Sequence, residues 1–326
     1  MKARAKGEVI ELVKLAHRMM KQGRDQEAEE KYTLALRSDP LDVYALVGLG
    51  DLYRKRRRFQ DALESYQKAL EVDKDNMYAL SGKGDAYRGL KEMDRALEVW
   101  LDYLSLYPDD HKVMTRVADV MRKKGDWETS KKFYLMALEK QPGDPYALMG
   151  LGDLCEKEGN QEGALEFFEK VITGTDGAIK ALTSAANIHR KRKAYRIAMG
   201  YYERVLEMDP MDSHAWHGKA DCFRGMGEYS SAIKAWEMAL QCGMDPRIAL
   251  TRIGDAYLSS GDLEQAELHY SRALALGYDK YAYLGMAKIH SRRNQKGEAL
   301  KVFTLLADKT PGDFRVSAEF KRFVER

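Results

Sequence analysis

Acidic and basic side chains recur three residues apart along this chain, which is the first pattern in it that could support chemistry. Residues three apart in a helix lie on the same face, close enough for an ion pair or a shared polar surface. Each pair could therefore be a contact within the protein or a contact with a ligand, and both readings stay open. The pairs are Asp51/Arg54, Asp85/Arg88, Asp119/Arg122, Asn187/Arg190 and Asp221/Arg224.

One segment, around residue 217, has ligand types that could hold a metal ion. His214, His217 and Asp221 follow one another at helical spacing, but no second cluster completes a coordination sphere. We therefore expect no metal and no cofactor. The sequence also has no glycine-rich phosphate loop and no Ser/His/Asp arrangement on strand-to-helix turns, so we do not expect an enzyme.

The elements that must position these side chains repeat along the whole chain. A small residue recurs at a spacing of 34, and of 33 in the last interval, with an aromatic residue four positions later each time. A fixed period of this length indicates a solenoid, in which each unit packs mainly on its neighbours. The small/aromatic pairs are Ala28/Tyr32, Ala62/Tyr66, Ala96/Trp100, Ser130/Tyr134, Ala164/Phe168, Ala198/Tyr202, Ala232/Trp236, Ala266/Tyr270 and Ala299/Phe303.

Local signals predict two helices in each repeat. Leu46, Leu49, Gly50 and Tyr53 fall on one helical face, and a second apolar stripe follows the turn. The chain holds only 7 prolines, which all lie at or beside repeat junctions. A left-handed turn between the helices is predicted at Gly23, Gly125, Gly159, Gly227, Gly261 and Asn294.

The pattern resembles the tetratricopeptide repeat (TPR) family, since each repeat carries the family's small and aromatic residues at matching positions. The resemblance implies an all-α fold, a right-handed α-solenoid of antiparallel helix pairs. We expect a frayed lead over 1–8, nine repeats over 9–313 and a C-terminal capping helix over 314–326. The repeats begin at Val9, Val43, Met77, His111, Pro145, Ile179, Ser213, Arg247 and Lys280.

In this family, positions 2, 5, 9, 12 and 13 of the first helix line a concave groove, counting from the first residue of each repeat. Position 6 is glycine five times, which either leaves room for a ligand or lets neighbouring helices approach closely. The resemblance makes these residues candidates for peptide contact: Tyr44, Asp51, Arg54, Tyr78, Asp85, Arg88, Asp119, Arg122, Tyr146, Asp153, Asn187, Arg190, His214, His217, Asp221, Arg224 and Asp255.

The charge of this groove set predicts the kind of partner. Positions 2, 5, 9, 12 and 13 of all nine repeats together contain fourteen basic and seven acidic residues, whereas the formal net charge of the chain is only +3. We therefore expect protein partners with acidic or carboxylate-bearing segments. The basic runs at 54–58 and 189–193 fall at helix ends, where cations complement the helix dipole, and we expect no nucleic-acid partner.

These observations favour a non-enzymatic scaffold or adaptor that holds partner segments within a multiprotein assembly. The alternatives are a fragment or regulatory subunit of a larger enzyme, and a structural protein that self-associates through its convex face or its ends, where Phe320 and Phe323 lie. Three cysteines without metal spacing and the lack of a long apolar run predict a cytoplasmic protein without membrane insertion. A charge swap at Arg88, Arg122 and Arg190 should weaken partner capture without changing thermal unfolding.

Overall fold

The computed structural model describes the backbone of residues 2–325 and the side chains of residues 7–325. All regular structure in this part of the chain is helical, which confirms the predicted all-α solenoid class. The chain divides into two compact units, Met1–Glu158 and Gly159–Arg326. The boundary falls in the turn inside the fifth repeat.

The first unit is a series of helix pairs in which each helix packs on the next along the chain. Its helices are α1 (Lys2–Lys21), α2 (Asp25–Ser38), α3 (Val43–Lys55), α4 (Phe59–Val72), α5 (Met77–Gly89), α6 (Met93–Leu106), α7 (His111–Lys124), α8 (Trp127–Lys140) and α9 (Pro145–Lys157). α1 runs through most of the segment 1–8 for which we expected fraying, and Met1 lies outside the described residues.

The second unit continues the same alternation and ends with a single helix. Its helices are α10 (Gln161–Gly174), α11 (Ile179–Lys191), α12 (Tyr195–Met208), α13 (Ser213–Gly225), α14 (Tyr229–Gln241), α15 (Pro246–Ser260), α16 (Leu263–Ala275), α17 (Lys280–Arg292), α18 (Lys296–Lys309) and α19 (Phe314–Val324). None of the helices in the described part of the chain is long and apolar enough to cross a membrane.

Side-chain caps fix where the first helix begins in most repeats, α11 being an exception. Asp42 accepts a hydrogen bond from the backbone N–H of Ala45, and Asp110, Asp144 and Asp212 cap α7, α9 and α13 in the same way. α15 begins one residue earlier than its repeat, at Pro246, because Asp245 caps it and proline suits the first helical position.

The turn between the two helices of a repeat adopts the predicted left-handed conformation. Gly23, Gly125, Gly159, Gly227, Gly261 and Asn294 all have positive φ. The same turn position also has positive φ at Arg57, Lys91 and Lys193, although none of these residues is glycine or asparagine. These three long side chains therefore occupy a conformation that favours glycine.

The core of both units is built from the small and aromatic residues that define the period. Tyr66, Trp100, Tyr202 and Trp236 are fully buried. Ser130 stands where the other repeats have alanine, and its buried hydroxyl donates to the carbonyl of Ala118 at 2.8 Å. This internal hydrogen bond satisfies a polar group that would otherwise be costly to bury.

α19 covers the last helix pair of the second unit. Val316 is buried, and the rings of Phe320 and Phe323 each lie 5.3 Å from the ring of Phe303 on α18. The two phenylalanines considered above for self-association thus pack inside their own unit. Phe314, at the start of α19, remains 83% exposed.

Candidate functional site

The position-6 glycines make room for an aromatic ring of the preceding repeat. A Cβ atom on Gly82 would overlap the ring of Tyr66, and Gly50 on the other side is equally tight against that ring. The same overlap occurs for Gly48, Gly150, Gly218 and Gly285 against Tyr32, Tyr134, Tyr202 and Tyr270. Of the two readings of these glycines, close helix packing is the one that the structure supports.

In the first unit, acidic side chains and arginines form a network of hydrogen bonds and ion pairs around the hydroxyl groups of these tyrosines. The Tyr66 hydroxyl donates to Asp51 Oδ1 at 2.7 Å, and Arg54 Nε donates to the same hydroxyl at 3.3 Å. Arg54 also reaches Asp51 Oδ1 at 3.3 Å and Asp85 Oδ2, in the next repeat, at 3.4 Å. One guanidinium group therefore joins both helices of its own repeat to the repeat that follows.

Asp85 is the most enclosed carboxylate of this network. Its side chain is 5% exposed and lies 2.9 Å from Arg88, 3.4 Å from Arg54 and 3.5 Å from Arg116. Arg122 repeats the bridging arrangement further along the unit, with Asp119 at 3.6 Å and Asp153 at 3.5 Å. Removing one partner from such an enclosed ion pair typically costs about 3–5 kcal/mol.

The second unit builds the same network around Arg190. This guanidinium donates to Asn187 at 3.2 Å, to Asp221 at 2.8 Å and to the hydroxyl of Tyr202 at 3.3 Å. Burial raises the pKa of Tyr202 to about 12, which keeps its hydroxyl protonated and able to donate to Asn187 at 2.8 Å. Arg224 adds a second ion pair to Asp221 at 3.0 Å.

These contacts change one expectation drawn from the sequence. Arg122 and Arg190 each link two successive repeats, and Arg88 neutralises the enclosed carboxylate of Asp85. Reversing their charges would place acidic groups beside Asp85, Asp153 and Asp221, where the native chain has arginines. We now expect the charge swap to lower thermal stability, because it removes contacts that hold the repeats together.

The histidines proposed as groove residues differ in their surroundings. His217 is partly buried, and its Nδ1 accepts a hydrogen bond from the indole N–H of Trp236 at 3.1 Å. His217 Nε2 lies 3.8 Å from Asp221, whereas His214 is exposed. Among the residues that the structure describes, no group of three or more His, Cys, Asp or Glu could hold a metal ion.

The candidate tyrosines at position 2 remain largely open to solvent. Tyr44 and Tyr146 are each 74% exposed, and Tyr78 is 65% exposed. Tyr44 and Tyr78 line a cleft of about 600 Å³ between the starts of α3 and α5. We call it the acidic cleft, defined by Tyr44, Tyr78, Tyr107, Asp51, Asp73 and Asp75.

A second cleft of about 360 Å³ lies at the end of the second unit, beside the position-2 tyrosine of the last repeat. Its charged side chains are mainly basic, with Asp255 and Glu319 as the acidic members. Asp255 accepts from Tyr270 at 2.8 Å and lies 3.7 Å from Arg252. We call it the basic cleft, defined by Tyr281, Phe314, Arg252, Lys288, Arg315 and Arg322.

Sequence reasoning missed the buried half of the network, although the signal was present. Position 6 is glycine only when the aromatic residue that defines the period, at position 24 of the preceding repeat, is tyrosine. After Trp100 and Trp236, position 6 is Arg116 and Arg252, and after Phe168 it is Ser184. This pairing between neighbouring repeats shows which first helix each aromatic ring packs against.

A helix-pair solenoid with these repeated positions defines a class of protein-interaction scaffold. A family model described as "Tetratricopeptide repeat" matches residues 13–69, 47–111, 118–179, 183–246 and 251–314. These regions together span most of the chain, and the chain belongs to the tetratricopeptide repeat family. Proteins of this family bind other proteins or peptides and are generally non-catalytic, so the general role of the chain is that of an interaction scaffold.

Known proteins share the fold at low sequence identity. Pseudomonas aeruginosa pilF is 19% identical, with a TM-score of 0.59, over 67% of this chain and 99% of that one. PilW, a type IV pilus biogenesis factor, is 18% identical, with a TM-score of 0.57, over 64% of this chain and 96% of that one. A chain of the APC/C hetero-tetramer Cut9–Hcn1 is 15% identical, with a TM-score of 0.56, over 91% of this chain and 58% of that one.

A local sequence match also exists to ETO1-like protein 2 of Arabidopsis thaliana. It is 33% identical over 86 residues, which is 26% of this chain and 9% of that protein. The chain therefore spans only a small part of the length of this relative.

Proposed function

We propose that the chain is a non-enzymatic scaffold or adaptor that holds partner peptide segments against the first helices of its repeats, as part of a multiprotein assembly in the cytoplasm. The exposure of Tyr44, Tyr78 and Tyr146 carries this proposal. Tyrosine offers a large contact area together with a polar hydroxyl, and it is enriched where proteins bind one another.

The acidic–basic network supports the proposal by fixing the helices that carry these tyrosines. Arg54 and Arg122 engage carboxylates of two repeats at once, so the spacing between neighbouring first helices is held by internal contacts. Within the candidate set, the tyrosines would contact the partner directly. The aspartates, Asn187 and the arginines would mainly position them, and a site that is already ordered loses less entropy on binding.

The preference for acidic segments finds its support in the basic cleft. Arg315 stands 5.7 Å above the ring of Tyr281, and Arg252 and Lys288 line the same cleft. Lys288 and Arg322 share Glu319, at 3.2 Å and 3.3 Å. Cations therefore outnumber acidic groups here, which favours a carboxylate-bearing guest.

A displayed peptide library tests the tyrosines. Peptides selected on the full chain should bind the triple variant Tyr44→Ala/Tyr78→Ala/Tyr146→Ala at least about tenfold more weakly, because three exposed contact rings are lost. The matched control is Leu34→Ala/Leu101→Ala/Leu135→Ala, which removes three exposed apolar side chains from second helices. Selected peptides that bind the tyrosine variant as tightly as the native chain would contradict the proposal.

The basic cleft has its own test with acidic library members. The variant Arg252→Gln/Arg315→Gln should lose affinity for them, whereas Lys234→Gln/Arg272→Gln removes two exposed cations from second helices and should not. Equal loss in both variants would indicate a general charge effect and would count against a preference located at this cleft.

A further inference from the structure

The acidic cleft has the opposite charge to the groove positions as a whole, whose excess of basic residues predicts acidic partners. Asp51, Asp73 and Asp75 line it, and none of its described lining residues is lysine or arginine. The excess of basic residues counted from the sequence lies elsewhere. Arg54 is tied to Asp51, Asp85 and Tyr66, and Lys55 pairs with Asp25 at 2.7 Å.

The carboxylates of this cleft keep acceptor capacity. Tyr66 and Arg54 both donate to Oδ1 of Asp51. Asp73 Oδ2 accepts one hydrogen bond from the Asn76 side chain at 3.0 Å. Asp73 and Asp75 are both exposed, and Lys74 between them is exposed without lining the cleft.

Aromatic rings stand beside these charges. Tyr44 and Tyr78 present exposed rings, and Tyr107 donates its hydroxyl to the backbone carbonyl of Asp75 at 2.5 Å. The last contact holds the loop that carries Asp73 and Asp75 against a ring of the cleft. Aromatic faces attract ammonium and guanidinium groups, and carboxylates at the same place add to this attraction.

A third observation concerns Tyr32, which contacts His17 in the wall of the acidic cleft. The fully buried Tyr32 has no hydrogen-bond partner for its hydroxyl among the described residues. In the other repeats that have a tyrosine here, its hydroxyl donates to the residue at position 9 of the same repeat. In the first repeat position 9 is His17, whose ring meets that of Tyr32 edge to face. Burial and then the charge of Asp51 raise the pKa of Tyr32, so this hydroxyl stays protonated beside the acidic wall.

We propose that the acidic cleft binds an arginine or lysine side chain of a partner's peptide segment, with Asp73 and Asp75 supplying the charge and Tyr44 and Tyr78 the aromatic faces. The biological setting rests on the proposed function, that first helices hold partner segments. The chemistry of the cleft can be tested separately. A single scaffold would then offer one cleft for basic and another for acidic side chains.

The test is a nuclear magnetic resonance titration of the full chain with two blocked amino acids, N-acetyl-arginine methylamide and N-acetyl-glutamate methylamide. The arginine probe should shift resonances of residues 43–47 and 73–78, and the glutamate probe should leave them unchanged. In Asp73→Asn/Asp75→Asn, the dissociation constant for the arginine probe should rise roughly threefold to tenfold, as expected for two exposed charges.

The matched control, Glu98→Gln/Asp102→Asn, removes two exposed acidic side chains from α6, outside the cleft, and should bind like the native chain. The proposal is overturned if arginine shifts none of these residues, if glutamate shifts them equally, or if the asparagine variant binds arginine unchanged. Library peptides that bind the tyrosine variant as tightly as the native chain would contradict the proposed function but not the proposal for the acidic cleft. A cleft that still selects arginine would stand in that case.

Discussion

The acidic cleft of the first unit and the basic cleft of the second unit have the same construction but opposite charge. Each lies beside a position-2 tyrosine, Tyr78 in one and Tyr281 in the other. Each rests on a buried tyrosine whose hydroxyl donates to an aspartate, Tyr66 to Asp51 and Tyr270 to Asp255. The repeat thus fixes the shape, and a few side chains at its edges set the charge.

These edge residues come from different parts of the repeat. In the acidic cleft, Asp73 and Asp75 belong to the loop between two repeats. In the basic cleft, Arg252 occupies position 6, and Arg315 and Arg322 come from the capping helix. Charge at a site of this kind therefore cannot be obtained by averaging over groove positions, because loops and caps contribute as much as the first helices.

The largest effect is expected where the network is most enclosed. Asp85→Ala should lower the free energy of unfolding by about 3 kcal/mol, the lower end of the range for a buried ion pair. It leaves the partly exposed Arg54, Arg88 and Arg116 without their shared carboxylate. Asp255→Ala should cost less, because the Asp255 side chain is 34% exposed and its ion pair with Arg252 is longer. Urea unfolding followed by circular dichroism measures both.

The order of these two costs sharpens the comparison. Equal losses would show that the network carries the same energy beneath both clefts. The Asp255 variant should also bind acidic library peptides more tightly, because it removes a negative charge from the basic cleft.

The next effect tests the construction that the two clefts share. Gly82→Ala and Gly285→Ala should each cost roughly 1–3 kcal/mol, since the added methyl group overlaps the ring of Tyr66 or Tyr270. Gly200→Ala is the control: a Cβ atom there meets nothing within 4 Å, so this helix should gain up to about 1 kcal/mol. Thermal unfolding would distinguish the two signs, and a stabilising Gly82→Ala would contradict the packing described.

A smaller effect concerns acid stability in the second unit. Burial lowers the pKa of His217, with the charge of Asp221 opposing that shift. The unfolded chain takes up a proton near pH 6.5 and the folded chain only at lower pH, so this residue reduces stability as the pH falls below about 6.5. His217→Gln should therefore lose less stability than the native chain between pH 7.5 and pH 5.5. An identical loss would exclude this role.

The fold could be predicted from the sequence because the same small and aromatic residues recur at matching positions in every repeat. The period, the glycines at Gly125 and Gly261 and the burial of Tyr66 and Trp100 all follow from it. The start of α15 at Pro246 did not, because a local cap and a proline there take precedence over the period.

The candidate site was less predictable, for a physical reason. The spacing of Asp51 and Arg54 allowed either an internal ion pair or a ligand contact. Arg54 also contacts Tyr66 and Asp85, which are distant in sequence and come close to it only in the folded chain. The acidic cleft was hidden for a similar reason. Asp73 and Asp75 lie outside the groove positions, and chain folding brings them beside Tyr44.

The contrast between the clefts can be tested most directly by reversing the charge of one of them. The variant Asp73→Arg/Asp75→Arg replaces two exposed acidic side chains, and the same titration with the blocked arginine and glutamate probes measures the outcome. We predict that shifts at residues 43–47 and 73–78 disappear for arginine and appear for glutamate. Unchanged responses to both probes would contradict the claim that edge charges decide what each cleft binds.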